Sequence, residues 1–365
     1  MALATDWQWL RDQCRDGKII NSLKPVAGKI GGLVIPIFDD GRCFYSTKLE
    51  PFQDRNPDGQ LDEAIVRDLL RAAGEAEIPV YFALNMLTWE KLKRGGHVDR
   101  SPVVFQKYPE WQEVNKAGGK AAFPEGQIAS PWHPDVQTTL KSLLKEIAQK
   151  FPEASGLMVD YRLAFNEILG YSKAAREASI GAIDIDPTSL NFAAKDDALN
   201  SERIHKWKLW RRDTMAELLK STLAEYQSVQ PLDTIILSGE ADSYATITYD
   251  YSITKMQDWK HWVSLGLAHT VMLDGFWRSG HRHHGLLSDF QRETENPENP
   301  MVKGAGRPIT LMPASTGPYL MRDGNYRGDW NNITSVTPEL DHYMVALRID
   351  QDVKDALKVL EKDNN

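Results

Sequence analysis

Short apolar runs that stop abruptly at an acidic residue, separated by amphipathic helical stretches, constrain this chain more than any other feature. Gly156-Leu157-Met158-Val159 is closed by Asp160, Thr234-Ile235-Ile236-Leu237-Ser238-Gly239 by Glu240, and Thr270-Val271-Met272-Leu273 by Asp274. Runs of this length read as buried strands, and the acid marks where each leaves the core. Helical periodicity lies between them. Ile65, Leu69, Ala72, Ala73 and Ala76 share one face of a helix from Leu61 to Ala76. Pro134 opens a second helix, striped by Val136, Leu140, Leu143, Leu144, Ile147 and Phe151; its missing N–H would have no partner in the first turn anyway. A third runs from Ser201 to Gln227 with Ser201 as N-cap, burying Ile204, Trp207, Met215, Leu218, Leu219 and Tyr226. Further strands are predicted at Gly32 to Phe38, Val80 to Leu84, Pro308 to Pro313 and Met344 to Ile349, with a short helix at Met256 to Leu265 and a terminal one at Val353 to Lys362.

Strand and helix that alternate over 365 residues imply an α/β fold with a parallel sheet. No Gly-rich phosphate turn follows the first clear strand, which removes the main dinucleotide-binding signal. The two longest excursions, at about 88–132 and 163–200, follow strands, where a barrel carries its working loops. The reading is therefore a single (β/α)8 TIM-type barrel over residues 1–365, with an irregular or incomplete first or last strand. Both excursions are expected to wall one cleft, with Glu167 and Tyr171 of the second reaching substrate.

A net charge of −8 and a pI of about 5.7 argue against nucleic acid and anionic membrane as partners. No run of 18 apolar residues and no apolar leader core appear, so neither a membrane span nor a signal peptide is expected, leaving a cytoplasmic or a mature exported form. Cys14 and Cys43, the only two cysteines, make no metal or disulfide framework. Eleven Trp suit a glycan cleft, where rings stack on sugar faces, and equally suit a core.

Several segments resemble the bacterial glycosyl hydrolase-like family 10. They are the strand and loop from Leu33 to Phe52, with its Leu49-Glu50-Pro51-Phe52 close, the strand Pro79 to Leu84, Pro109-Glu110-Trp111, Ser130 to Val136, Gly156 to Arg162 and the helical segment Trp207 to Arg212. The resemblance runs from about Leu33 to Trp277. The family also has an earlier strand, for which Met1 to Ile30 offers no clear counterpart.

The resemblance implies a glycoside hydrolase on an oligo- or polysaccharide. Glycosidic cleavage uses one carboxyl group to protonate the leaving oxygen and another to attack or to activate water. Asp160 resembles the family's catalytic acid residue and falls on the fourth strand, with Glu240 on the fifth and Asp274 on the sixth. Asp-then-Glu on successive strands is similar to the α-amylase clan, so Asp160 is assigned as nucleophile or stabiliser and Glu240 as general acid/base. Glu240 then needs a raised pKa, from burial or from Asp242 or Asp274. The alternative for each acid is an ion pair with Arg162 or Arg212. Asp39, Asp40, Tyr45, Asn85, Trp89, Trp132, Tyr161, Arg162, Glu167, Trp277, His281 and His283 are candidates for substrate binding. Asp39 and Asp40 read equally as a turn before Gly41, and the Trp residues as core. No cofactor and no metal are expected, because adjacent His residues on a short loop seldom converge on one ion. Two other functions stay open: a non-catalytic carbohydrate-binding barrel, and a metal-dependent hydrolase built on the His281 to His284 loop.

Overall fold

The computed structural model describes residues 2–5, 11–12, 14, 24, 27–28, 31–53, 55–90, 104–119, 122–123, 126–160, 169–194, 197–238, 256–274, 292–306, 309–315 and 344–347. Among them the chain runs β1 (Ala2–Thr5), β2 (Gly32–Asp39), β3 (Arg42–Cys43), α1 (Glu50–Gln53), α2 (Gly59–Glu75) and β4 (Val80–Asn85). The first excursion holds β5 (Thr88–Glu90), α3 (Val104–Lys107), a 3-10 turn (Pro109–Trp111), β6 (Ala122–Phe123) and β7 (Gly126–Ile128). Then come α4 (Pro134–Lys150), β8 (Gly156–Asp160), α5 (Lys173–Ile183), α6 (Ala198–Gln227), β9 (Asp233–Ser238) and α7 (Trp259–Ser264). The last elements are β10 (Thr270–Asp274), α8 (Pro300–Ala305), β11 (Thr310–Ser315) and β12 (Met344–Leu347).

Parallel pairing links β2 to β4, β4 to β8, β8 to β9, β9 to β10, β10 to β11 and β11 to β12. β1 pairs in parallel with β12 on one side and β2 on the other. A strand at Ala2–Thr5 lies within the first thirty residues, where the sequence offered no clear counterpart to the family's earlier strand. Four residues reading Ala-Leu-Ala-Thr carry too little apolar pattern to announce it.

One face of the sheet is covered by helices. Phe82, Leu84, Leu157 and Val159 are fully buried in one cluster with Leu140, Leu143 and Leu144 of α4 and Leu218 and Leu219 of α6. Each such side chain contributes about 1.5–3 kcal/mol by leaving water, which holds the helices to the strands. α4 starts as its sequence dictates, with Pro134 in the first turn and the His133 side chain accepting the Asp135 N–H. α6 starts three residues before the predicted point: Asp197, not Ser201, is the N-cap and accepts the Asn200 N–H at 3.0 Å. β11 is displaced toward the C-terminus, with Pro313 inside the strand opposite Leu273. The terminal helix predicted at Val353 to Lys362 lies outside the described residues.

The first excursion is not a bare loop. β5, β7 and β6 form a small antiparallel sheet. The second carries α5 and a 3-10 turn (Pro187–Ser189).

Candidate active site

β2, β4, β8 and β10 end at Asp39, Asn85, Asp160 and Asp274. Because these strands are parallel, the four residues stand at one edge of the sheet. Asn85 is the register partner of Asp160, Asp160 of Leu237, Leu237 of Met272, and Asp274 of Ala314.

Strand alternation decides the face. Tyr81 donates its hydroxyl to Asp233 at 3.2 Å across the intervening Gly156. A Cβ at Gly156 would stand 2.0 Å from the Asp233 carbonyl oxygen and 3.1 Å from the Tyr81 ring, so only glycine fits. Asn85 and Asp160 lie four residues beyond Tyr81 and Gly156 and share that face, away from the helices. Asp39 reaches it by an irregularity. Between Pro36 and Phe38 the register of β2 against β4 slips by one, so that Phe38 rather than Ile37 stands opposite Leu84. That bulge sets Asp39 level with Asn85; without it Asp39 would follow Ile35 and Ile37 to the helical side.

The other candidates separate. Asp40 and Gly41 are the two central residues of the hairpin between Asp39 and Arg42, with φ of 56° and 62°, the left-handed conformations of a type I′ turn. Asp40 also pairs with Arg55 at 3.3 Å. Tyr45, Trp89 and Trp132 are corrected from substrate contacts to core residues. Tyr45 has no exposure and donates its hydroxyl to Glu146 at 2.9 Å. Burial, with the Cys43 thiol and the Glu146 carboxylate adding to it, raises the pKa of its phenol. Trp89 is fully buried, edge-on to Phe38, Phe52 and Trp111 and stacked on Phe105, with its indole N–H on the Met86 carbonyl at 2.9 Å. Trp132 is 4% exposed and stacked on Trp210, which leaves no ring face for a sugar. Tyr171 is likewise buried, against Trp207. Arg212 pairs with Asp213 and Asp258 rather than with Asp160. Glu240, Tyr161, Arg162, Glu167, Trp277, His281, His283 and His284 lie outside the described residues, and of Asp274 only the backbone is described.

The sequence reading missed Glu113, which has no exposure. Its Oε1 accepts the N–H groups of Gly170, Tyr171 and Ser172 at 3.1, 2.8 and 2.8 Å, and its Oε2 accepts the Ser172 hydroxyl at 3.0 Å. Burial raises its pKa, although the hydrogen bonds from Ser172, Ser130 and Val114 pull the other way. Gly170 sits at φ +102°, and a Cβ there would meet the Trp207 ring at 3.0 Å. One acid within a polar excursion gives no sign of a partner nearly sixty residues away. Among the described residues no group of His, Cys, Asp and Glu is arranged to hold a metal ion, and no helix is long and apolar enough to cross a membrane.

A mixed α/β fold that delivers polar and acidic residues at the ends of adjacent parallel strands is the architecture of many carbohydrate-acting enzymes. The sequence matches the glycosyl hydrolase-like 10 family over residues 2–303, and the chain belongs to that family. No curated protein matches it significantly. Its fold is similar to the glycoside hydrolase domain of PgaB (BpsB) from Bordetella bronchiseptica, with a TM-score of 0.61 at 14% identity, covering 99% of this chain and 98% of that one. It is also similar to the catalytic domain of a β-amylase from Paenibacillus polymyxa, with a TM-score of 0.58 at 11% identity over 95% and 92% of the two chains. Family and fold together support a carbohydrate-acting hydrolase.

Proposed function

We propose that this protein is a glycoside hydrolase that cleaves an oligo- or polysaccharide, with Asp160 as nucleophile or stabiliser, Glu240 as general acid/base and Asp274 beside them. The observation that carries the reading is Asp160 at the last position of β8, in register with Asn85 and on the face away from the helices. An acid so placed faces the carboxyl end of the strands, where (β/α)8 enzymes build their sites. Glycosidic cleavage needs a second carboxyl group, which Glu240 supplies two residues after the end of the neighbouring β9. Asn85 and Asp39 are the polar neighbours suited to sugar hydroxyls.

The strand ring is read as a TIM-type (β/α)8 barrel. The pairing of β1 with both β12 and β2 supports that reading, because it links the two ends of the run of parallel strands.

A panel of oligo- and polysaccharides with reducing-end detection tests the activity. Release of reducing ends by the wild type, lost in Asp160→Asn, is expected. Glycan binding without release favours a non-catalytic carbohydrate-binding barrel, and release abolished by EDTA favours a metal-dependent hydrolase.

A further inference from the structure

Asn85 and Asp160 are register partners, and each is the last residue of its strand. The two long excursions therefore set out from neighbouring points on the same edge. They meet again at Glu113. The small sheet presents this residue: its N–H goes to the Ile128 carbonyl at 2.8 Å, and Gln112 bridges Ala129. From that support its carboxylate gathers three consecutive backbone N–H groups of the second excursion together with the Ser172 hydroxyl. Ser130 adds a hydroxyl contact to Ser172 at 2.9 Å, and the Lys116 ammonium reaches the Leu190 carbonyl.

We propose that Glu113 is a positioning residue for the hydrolase site. Its carboxylate fixes the chain that leaves Asp160, at Gly170 to Ser172, against the wall that leaves Asn85. The inference rests on the glycoside hydrolase reading. Glu113 is itself buried away from solvent and touches no substrate; it acts through the strand ends whose outgoing chains it ties together. Charge-assisted hydrogen bonds from N–H groups to a carboxylate are about twice as strong as neutral ones, and a buried carboxylate with several of them holds its partners in one geometry. Ser172 is also the N-cap of α5, accepting the Ala175 N–H at 3.2 Å, so the tie extends into that helix.

The experiment compares wild type, Glu113→Ala and Glu113→Gln, well below their melting temperatures, on a glycan that the wild type cleaves. Amide hydrogen exchange at Gly170 to Ser172 reads the tie directly. Glu113→Ala should exchange there about tenfold faster or more, and its kcat should fall roughly tenfold to a hundredfold while KM changes little. Glu113→Gln keeps one oxygen for the three N–H groups and turns its amide toward the Ser172 hydroxyl, so its kcat should recover to within about threefold of wild type. Where Glu113→Ala fails to fold, Glu113→Asp, whose shorter side chain withdraws the carboxylate from the three N–H groups, replaces it with the same expected fall in kcat. Unchanged exchange in Glu113→Ala, or in its replacement, overturns the tie, and accelerated exchange there with unchanged kcat overturns the positioning role. A wild type that cleaves nothing in the panel defeats the hydrolase reading itself, and the exchange measurement still reports whether Glu113 holds the two excursions together.

Discussion

Asn85 and Asp160 are register partners at the last positions of β4 and β8, and the Met86 N–H beyond them points back to the Asp160 carbonyl at 3.5 Å. An amide and a carboxylate are thus set side by side where two parallel strands leave the sheet. Both residues are polar at the ends of otherwise mostly apolar strands. Val159 and Leu84, one step back, face the helices and are fully buried, whereas Asp160 and Asn85 keep partial exposure on the other face.

Asp160→Asn is expected to lower kcat about a thousandfold or more on a cleaved glycan, since Asn neither attacks an anomeric carbon nor stabilises positive charge. The change is isosteric, so stability should stay within about 0.5 kcal/mol of wild type. Single-turnover kinetics and urea unfolding measure both. Wild-type activity in this variant would move the catalytic centre elsewhere, with Asp39, Asp40 and Asp274 next to test.

Glu240→Gln should differ from it in one respect. An aryl glycoside with a good leaving group needs little protonation, so this variant should retain far more activity on activated than on natural substrates. Equal losses in both variants on both substrate types contradict the assigned roles.

Tyr45→Phe is expected to destabilise the protein by roughly 1.5–3 kcal/mol, because the hydroxyl donates to the Glu146 carboxylate in a buried site. The kcat should be unchanged. A fall in kcat at constant stability would return Tyr45 to the substrate-binding residues.

Gly156→Ala tests the packing beneath the site. Its Cβ would stand 2.0 Å from backbone, which cannot move as a flexible side chain can. A loss of about 3 kcal/mol or more is expected, read as a lower urea midpoint or as failure to fold. An alanine variant of ordinary stability would refute the close approach of β8 and β9.

Asp186 supplies a pH prediction. Arg176 binds it in a fork at 3.1 and 2.7 Å, and Thr188 adds a hydroxyl and an N–H. These partners, the Arg176 hydrogen bonds foremost, hold its carboxyl well below the usual carboxylate range. A pKa lowered by folding stabilises the fold at pH values above the unfolded value of about 3.9. The contribution fades as pH falls through the folded value. NMR titration should find Asp186 still ionised near pH 3 in the wild type, and returned toward about 3.9 in Arg176→Gln. Identical titrations in the two proteins would remove the ion pair from the account.

Periodicity in the chain alone determined the main strands and helices and the acids at strand ends. Those signals are local: the apolar run of Gly156 to Val159, closed by Asp160, and the stripe of α4 can be read from neighbours in sequence. The parallel sheet followed from their order. What the tertiary structure decided depended on residues far apart in the chain. Trp89 and Tyr45 are bulky and amphipathic, equally suited to a cleft or a core, and only their packing on Phe105 and Glu146 settled which. Asp39 faces the site through a one-residue bulge, invisible in a run of apolar residues because it exists only relative to β4. Ala2–Thr5 is a strand because two neighbours offer it backbone partners, not because four residues prefer that state. Glu113 found its donors at Gly170 to Ser172 because a buried carboxylate must be satisfied by whatever N–H groups the fold brings to it, and that choice is made in space rather than along the chain.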